Sequence, residues 1–232
     1  RGIAWTVFDE VVPNPTVDGI DKAVKMGKEI GAGAVFGIGG GSPIDTCKSS
    51  AVLLHPDNAQ YNARDLYTFK FTAENAVPII AINTTHGTGT EVDRFAVASI
   101  PEMEYKPCLV GDCIYPIFAI DDPAVLIGLP ANQTRYTGID ALNHVNEACT
   151  SLVTNPYVVL LAEETARLVA RYLPQAVAHP DDLTARYYLL YASMIAGIDF
   201  DNGLLHFTHA MEHPLSAVKP DLPHGLGLAM LL

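Results

Sequence analysis

Apolar side chains at Val17, Ile20, Val24, Met26 and Ile30, set behind Pro15, predict an amphipathic helix over residues 16–30. The pattern then shortens. Residues 34–38 are a compact apolar run that ends in Gly39-Gly40-Gly41-Ser42, and the PIDTCKSSAVLL that follows opens a helix with proline near its first turn. The unit is strand, glycine turn, helix. Residues 77–82 run in the same way into Asn83-Thr84-Thr85-His86-Gly87-Thr88-Gly89-Thr90-Glu91, and further strands are expected over 95–100, 106–110 and 116–120. From about residue 126 long helical periods replace them, over 130–150, 156–172, 183–198 and 204–217. This change of texture predicts an α/β domain over residues 1–125 and an all-helical domain over 126–232.

Composition narrows the class. With 49% hydrophobic and 17% charged residues, 232 residues can bury a substantial core. No apolar run approaches the roughly 18 residues of a membrane-spanning helix, so no membrane partner is expected. A formal charge of −12 with 14 Lys and Arg argues against nucleic acid, whose phosphates need clustered cations. Cys47, Cys108, Cys113 and Cys149 form no CxxC pair and read as free thiols of a reducing cytoplasm. The chain opens on Arg1 and closes on LGLAMLL, which reads as a fragment ending in mid-helix. Leu226, Leu228, Met230, Leu231 and Leu232 would then lack cover, which favours self-association, and a homo-oligomer is expected.

Three features carry candidate chemistry. GIGGGSPID places three glycines and a serine where a strand gives way to a helix, so that bare N–H groups and the positive helix end can face a phosphate. Many strand-to-helix corners use glycine for backbone reasons alone, and the spacing is not GxGxxG. TTHGTGTE would add a second ligand patch at the same sheet edge, or else a helix start capped by Thr88 or Thr90. The third feature is a set of imidazoles. Asp140 and His144 stand four apart on one helical face, about 5–6 Å apart at Cβ. His206, His209, His213 and His224 cluster later, with His209 and His213 again four apart. A lone histidine is more often a hydrogen-bonded structural residue, but three imidazoles with one carboxylate suit Zn²⁺ or Fe²⁺ and not Mg²⁺ or Ca²⁺.

The strings GGGSPIDTCK, PIIAINTTHGTGTEV, TGIDALNHVNEA and HAMEHPLSA followed by LPHG, in this order, resemble the iron-containing (group III) alcohol dehydrogenase family from residue 8 to the last residue. The resemblance implies a dehydroquinate synthase-like α/β fold, an N-terminal Rossmann-like parallel-sheet domain followed by an all-helical metal-binding domain, extending beyond both ends of this chain. It implies NAD or NADP as cofactor and Fe²⁺, sometimes Zn²⁺, as the metal. Carried over position by position, the metal ligands fall on Asp140, His144, His209 and His224, and a proton-relaying histidine on His213. The pyrophosphate turn falls on Gly39, Gly40, Gly41, Ser42 and Asp45, the second cofactor turn on Thr84, Thr85 and Thr88, and a ribose-contacting lysine on Lys106. His206 has no counterpart and is expected to be structural.

The chain departs from the family at His86 for the common Ala, Thr90 for Ser, Asp93 for a small hydroxyl and Ser216 for Gly, with one extra residue in AVKPDL. The four substitutions bear on substrate range, and the extra residue bears on the reach of His224. The implied reaction is reversible oxidation of a small primary alcohol or diol to the aldehyde, with hydride passing to nicotinamide and the metal acting as a Lewis acid. The alternatives are a zinc-dependent polyol dehydrogenase or dehydroquinate synthase-like lyase on the same scaffold and, in another class, a silent nucleotide-binding or assembly fragment. A metallohydrolase would lack the general-base Glu of HExxH.

Overall fold

The computed structural model describes residues 2–232. The first helix, α1 (Val17–Glu29), is capped by Thr16, whose Oγ1 accepts from the Gly19 N–H at 3.1 Å, and buries Val17, Ile20 and Val24. Strand β1 (Val35–Gly39) leads through the glycine turn into α2 (Gly41–Leu54), and a short helix α3 (Ala63–Tyr67) follows, set by a capping box between Asn62 and Asp65 that the apolar pattern does not reveal. Strands β2 (Ile79–Asn83), β3 (Phe95–Val97), β4 (Cys108–Val110) and β5 (Phe118–Asp121) complete the first half.

β1, β2 and β5 form a parallel sheet in the order β1-β2-β5, with Gly39 opposite Asn83 and Asn83 opposite Asp121. Both polar turns therefore leave the sheet at one edge, the carboxyl end where open parallel sheets bind ligands. β3 and β4 pair only with each other, as an antiparallel ribbon, and are shorter than the apolar runs over 95–100 and 106–110 suggest. One face of the sheet packs on α2, while on the other Phe36, Ile38 and Phe118 are 61%, 62% and 64% exposed.

The second half is helical: α4 (Ala131–Thr150), α5 (Pro156–Ala178), α6 (Leu183–Gly203), α7 (Phe207–Val218) and α8 (His224–Leu231). α5 continues past the expected end at residue 172 and carries Pro174 inside it. The loss of one N–H bond there is outweighed by packing of α5 against α4 and α6, which buries Leu168, Val169, Tyr172 and Ala176. Residues 204–206 do not join α7, because Leu204 turns the chain with φ +61°. In α8, Leu228 is buried, against the expectation that it lacks cover, whereas Met230 and Leu232 are exposed. No described helix is long and apolar enough to cross a membrane.

The halves meet through backbone. Gly89 lies against Gly197 of α6, so close that a Cβ on Gly89 would stand 2.5 Å from the Gly197 Cα. The Gly87 N–H donates to Ser193 Oγ at 2.6 Å, and His86 Nε2 lies 3.0 Å from the Thr134 carbonyl. Lys48 of α2 is fully buried and donates to Asp93 Oδ1 at 2.7 Å and to the carbonyls of Asp93 and Phe95 at 2.9 and 2.7 Å, so the carboxylate at position 93 gives a buried ammonium a charged partner.

Asp199 of α6 is the opposite case. It is fully buried, neither carboxylate oxygen has a hydrogen-bond partner, and burial pushes its carboxyl up to about 7. An unfolded Asp ionises near 3.9, so between these values the folded chain binds the extra proton and loses stability as pH rises, the loss levelling off above about 7. Asp199→Asn is therefore expected to match wild type near pH 4 and to exceed it by up to about 4 kcal/mol at pH 8. Urea denaturation at the two pH values checks this; a difference independent of pH would refute it.

Candidate metal and cofactor site

Helical spacing brings the first two candidate ligands together, since four residues are about one turn of α4. His144 Nε2 lies 3.4 Å from Asp140 Oδ1, and both side chains are buried. α7 adds His209, whose Nε2 is 3.7 Å from the same oxygen, and the start of α8 adds His224 at 3.9 Å. Three imidazoles thus converge on one carboxylate oxygen. Asp140 Oδ1 and His209 Nε2 are buried without any hydrogen-bond partner, an arrangement that is costly unless something occupies the point they face.

The electrostatics favour a cation at that point. Burial alone would raise Asp140, but His144, His209 and His224 outweigh it and bring its carboxyl down to about 2. Burial likewise opposes a charge on His209, yet Asp140 and Glu147 raise it to about 9. His144 moves the other way, down to about 4, chiefly through burial. Asp140, His209 and His224 offer ligand atoms within 4.8 Å of one another, and His144 completes the set through Asp140. His224 is 28% exposed, so the site opens to solvent on that side.

The outer nitrogens are held too. His144 Nδ1 lies 3.1 Å from the Gly87 carbonyl, which ties the cluster to the second polar turn. Glu147, one turn beyond His144, accepts from His209 Nδ1 at 3.1 Å, from the His209 N–H at 2.9 Å and from the His206 N–H at 2.6 Å. It caps the start of α7, whose own N-cap residue His206 makes no side-chain cap. Neither Glu147 nor Glu212 emerges from the sequence reading. Their signals are there: Glu147 shares the face of Asp140 and His144, and Glu212 stands between two histidines in HAMEH.

His213 joins the cluster, its ring 6.1 Å from that of His209 and 5.6 Å from that of His224. Burial, then the nearby Lys106 ammonium, hold it well below the ordinary histidine value, so it is neutral at pH 7. His206 is exposed, and its Nε2 lies 2.9 Å from Thr150 Oγ1 on the outside of the cluster.

The glycine turn faces the second turn directly. A Cβ on Gly40 would stand 2.7 Å from Thr85 Oγ1, and one on Gly41 would stand 2.9 Å from Thr88 Cγ2. Bare backbone is what allows the turns to close, with the Thr84 N–H donating to the Gly39 carbonyl at 2.9 Å. The hydroxyls of Thr85 and Thr88 are buried and unpartnered. α2 starts at Gly41 with no side-chain cap, so the N–H groups of Gly41 and Ser42 and the positive helix end are left for an anion. These residues fit a dinucleotide pyrophosphate.

Two candidate contacts already have protein partners. Asp45 Oδ1 accepts from Thr90 Oγ1 at 2.7 Å and Oδ2 from the Val97 N–H at 2.9 Å, so the carboxylate braces the second turn and the β3 strand rather than standing free in the turn. Lys106 is buried and donates to Ser216 Oγ at 2.8 Å, reaching across to α7.

The iron-containing alcohol dehydrogenase family model matches residues 1–123, and the C-terminal model of the Fe-containing alcohol dehydrogenase family matches residues 134–232. The chain is 64% identical over 231 residues to the long-chain primary alcohol dehydrogenase AdhA of Thermoanaerobacter ethanolicus, covering all of this chain and 57% of that protein. It is 38% identical to the 1,3-propanediol dehydrogenase of Klebsiella pneumoniae, covering 59% of it. Among solved structures, sulfoacetaldehyde reductase from Bifidobacterium kashiwanohense in complex with NAD⁺ superposes with a TM-score of 0.90 at 32% identity, over 97% of this chain and 59% of that one. The alcohol dehydrogenase from Oenococcus oeni superposes with a TM-score of 0.91 at 31% identity, over 100% and 59%. The chain therefore spans under three fifths of the length of these relatives.

Proposed function

This chain belongs to the iron-containing alcohol dehydrogenase family, and from that premise we propose that it forms the cofactor-binding and metal-binding parts of an NAD(P)-linked dehydrogenase of primary alcohols or diols. Residues 1–125 would form the dinucleotide-binding domain and 126–232 the metal-binding domain, in a cytoplasmic homo-oligomer. The observation that carries the reading is the convergence of three imidazoles on Asp140 Oδ1, joined through the Gly87 carbonyl to the second polar turn, whose Thr85 and Thr88 hydroxyls are unpartnered.

Asp140, His144, His209 and His224 would hold one divalent ion, Fe²⁺ or Zn²⁺, since imidazole and a single carboxylate suit either. Gly39, Gly40, Gly41 and Ser42 would take the pyrophosphate, with Thr84, Thr85 and Thr88 on the second side. Asp45 would hold that second turn in place, and Lys106 would reach the ribose. When bound, the metal supplies Lewis acidity toward the alcohol oxygen and the nicotinamide accepts the hydride. The chain's own residues do the rest. Neutral His213 can accept the alcohol proton and pass it toward the solvent-open side at His224. Phe200, 4.5 Å from the His144 ring and 5.7 Å from that of Phe95, packs behind His144 in a buried apolar cluster with Ala148 and Val158 and helps hold that ring in place.

Anaerobic metal analysis of the purified protein, paired with NAD⁺ and NADP⁺ reduction across short and long primary alcohols and diols, tests the reading. About one Fe or Zn per chain with alcohol-dependent reduction is expected. Metal without turnover would favour the lyase alternative, and neither would sink the proposal.

A further inference from the structure

Glu212 of α7 is fully buried beside the metal cluster, where an unpaired carboxylate would be costly. Its Oε2 lies 2.5 Å from His224 Nδ1 and 3.6 Å from Lys106 Nζ, and Lys106 is in turn anchored on Ser216 Oγ. The space for the side chain is provided by α8: a Cβ on Gly227 would stand 2.9 Å from Glu212 Cγ. The pocket is thus built for this residue from three elements, α7, α8 and the segment that carries Lys106 into β4.

We infer that Glu212 is a positioning residue for the metal centre, orienting His224 through its outer nitrogen. The inference rests on the proposed role of His224 as a ligand. His224 is the first residue of α8, is partly exposed, and follows Pro223, which supplies no side-chain cap. The rings of His209 and His213 flank it at 5.3 and 5.6 Å, but Glu212 supplies its hydrogen bond. A carboxylate on Nδ1 places the proton there, leaves the Nε2 lone pair directed toward Asp140, and makes the imidazole a stronger donor. His209 has the corresponding support from Glu147 and His144 from the Gly87 carbonyl, so all three outer nitrogens are fixed by acceptors. Lys106 has a second consequence. Glu212, His213 and His224 also bring ligand atoms within 4.8 Å of one another, but an ammonium 3.6 Å from Glu212 repels a cation there, so Glu212 serves the single ion at Asp140 rather than a second one.

The test uses Co²⁺ as the probe in the wild-type chain, Glu212→Gln and Glu212→Ala, with affinity read by chelator competition and ligand geometry by the visible absorption bands. Wild type is expected to bind one Co²⁺. Glu212→Gln, which keeps an acceptor but loses the charge, is expected to bind about tenfold more weakly, and Glu212→Ala up to about 100-fold more weakly, with altered bands. If Glu212→Ala does not fold, as judged by circular dichroism of the metal-free protein, the isosteric Gln variant carries the test. Equal affinity and identical bands in wild type and Glu212→Gln would overturn the inference while leaving the proposed metal site standing. Absence of Co²⁺ binding in wild type would overturn both. Two ions per chain, one of them lost in Glu212→Gln, would make Glu212 a ligand and overturn the positioning role.

Discussion

His209→Ala is expected to strip the protein of stoichiometric metal and of alcohol-dependent nicotinamide reduction. Its imidazole is buried, its Nε2 faces Asp140 Oδ1 at 3.7 Å without a hydrogen-bond partner, and its Nδ1 is fixed on Glu147. Truncation leaves three donors and a cavity that the pinned neighbours cannot close. If the roughly 10–16 kcal/mol of a four-ligand structural zinc site is shared evenly, one ligand accounts for about 2.5–4 kcal/mol, a loss of roughly 70- to 900-fold in affinity. His206→Ala is the control, because that residue is exposed and its ring bonds to Thr150 Oγ1 on the outer side of the cluster. Metal content after passage over a chelating column should fall to near zero in His209→Ala and stay at wild-type level in His206→Ala. Full retention by His209→Ala would remove it from the ligand set.

The two variants also mark what the sequence makes legible. A spacing of four is a helical turn, so Asp140 and His144 can be placed on one face of α4 from the sequence alone. His209 and His224 lie on different helices, and nothing local says that their rings meet; the ordered family strings supply that link. Glu147 and Glu212 are harder to see. A carboxylate that caps a different helix or holds the outer nitrogen of a distant imidazole leaves no mark in the pattern around it.

The same limit applies to the fold. The apolar runs over 95–100 and 106–110 indicate extended chain, but their pairing with each other is decided by the turn between them, where Glu104 takes φ +48°. Proline reads as a helix end, and in α5 tertiary packing overrides it at Pro174. Asp45 sits in the glycine-turn string that suggests a cofactor contact, whereas its two oxygens are claimed by Thr90 and Val97, residues far along the chain.

Gly89→Ala is expected to cost several kcal/mol of stability at the joint between the halves. Gly89 has φ +67°, a conformation that costs an L-residue about 1–2 kcal/mol. Its added Cβ would also stand 2.5 Å from the Gly197 Cα and 2.9 Å from the Gly197 N, backbone that can yield only if α6 shifts. Overpacking of that kind adds about 1–3 kcal/mol or more. Together the terms reach roughly 2–5 kcal/mol, against a total of about 5–15 for a typical domain. Gly31 separates the two contributions. It has φ +62° but nothing within 4 Å of a built Cβ, so Gly31→Ala should lose only the conformational part. Denaturant midpoints for both variants measure the difference, and equal losses would mean that the contact with Gly197 is not tight. The site should respond as well, since the turn that carries Gly89 also carries the Gly87 carbonyl that orients His144. Whatever fraction of Gly89→Ala stays folded is expected to bind metal more weakly than wild type, whereas Gly31→Ala, in the turn after α1, should bind it normally.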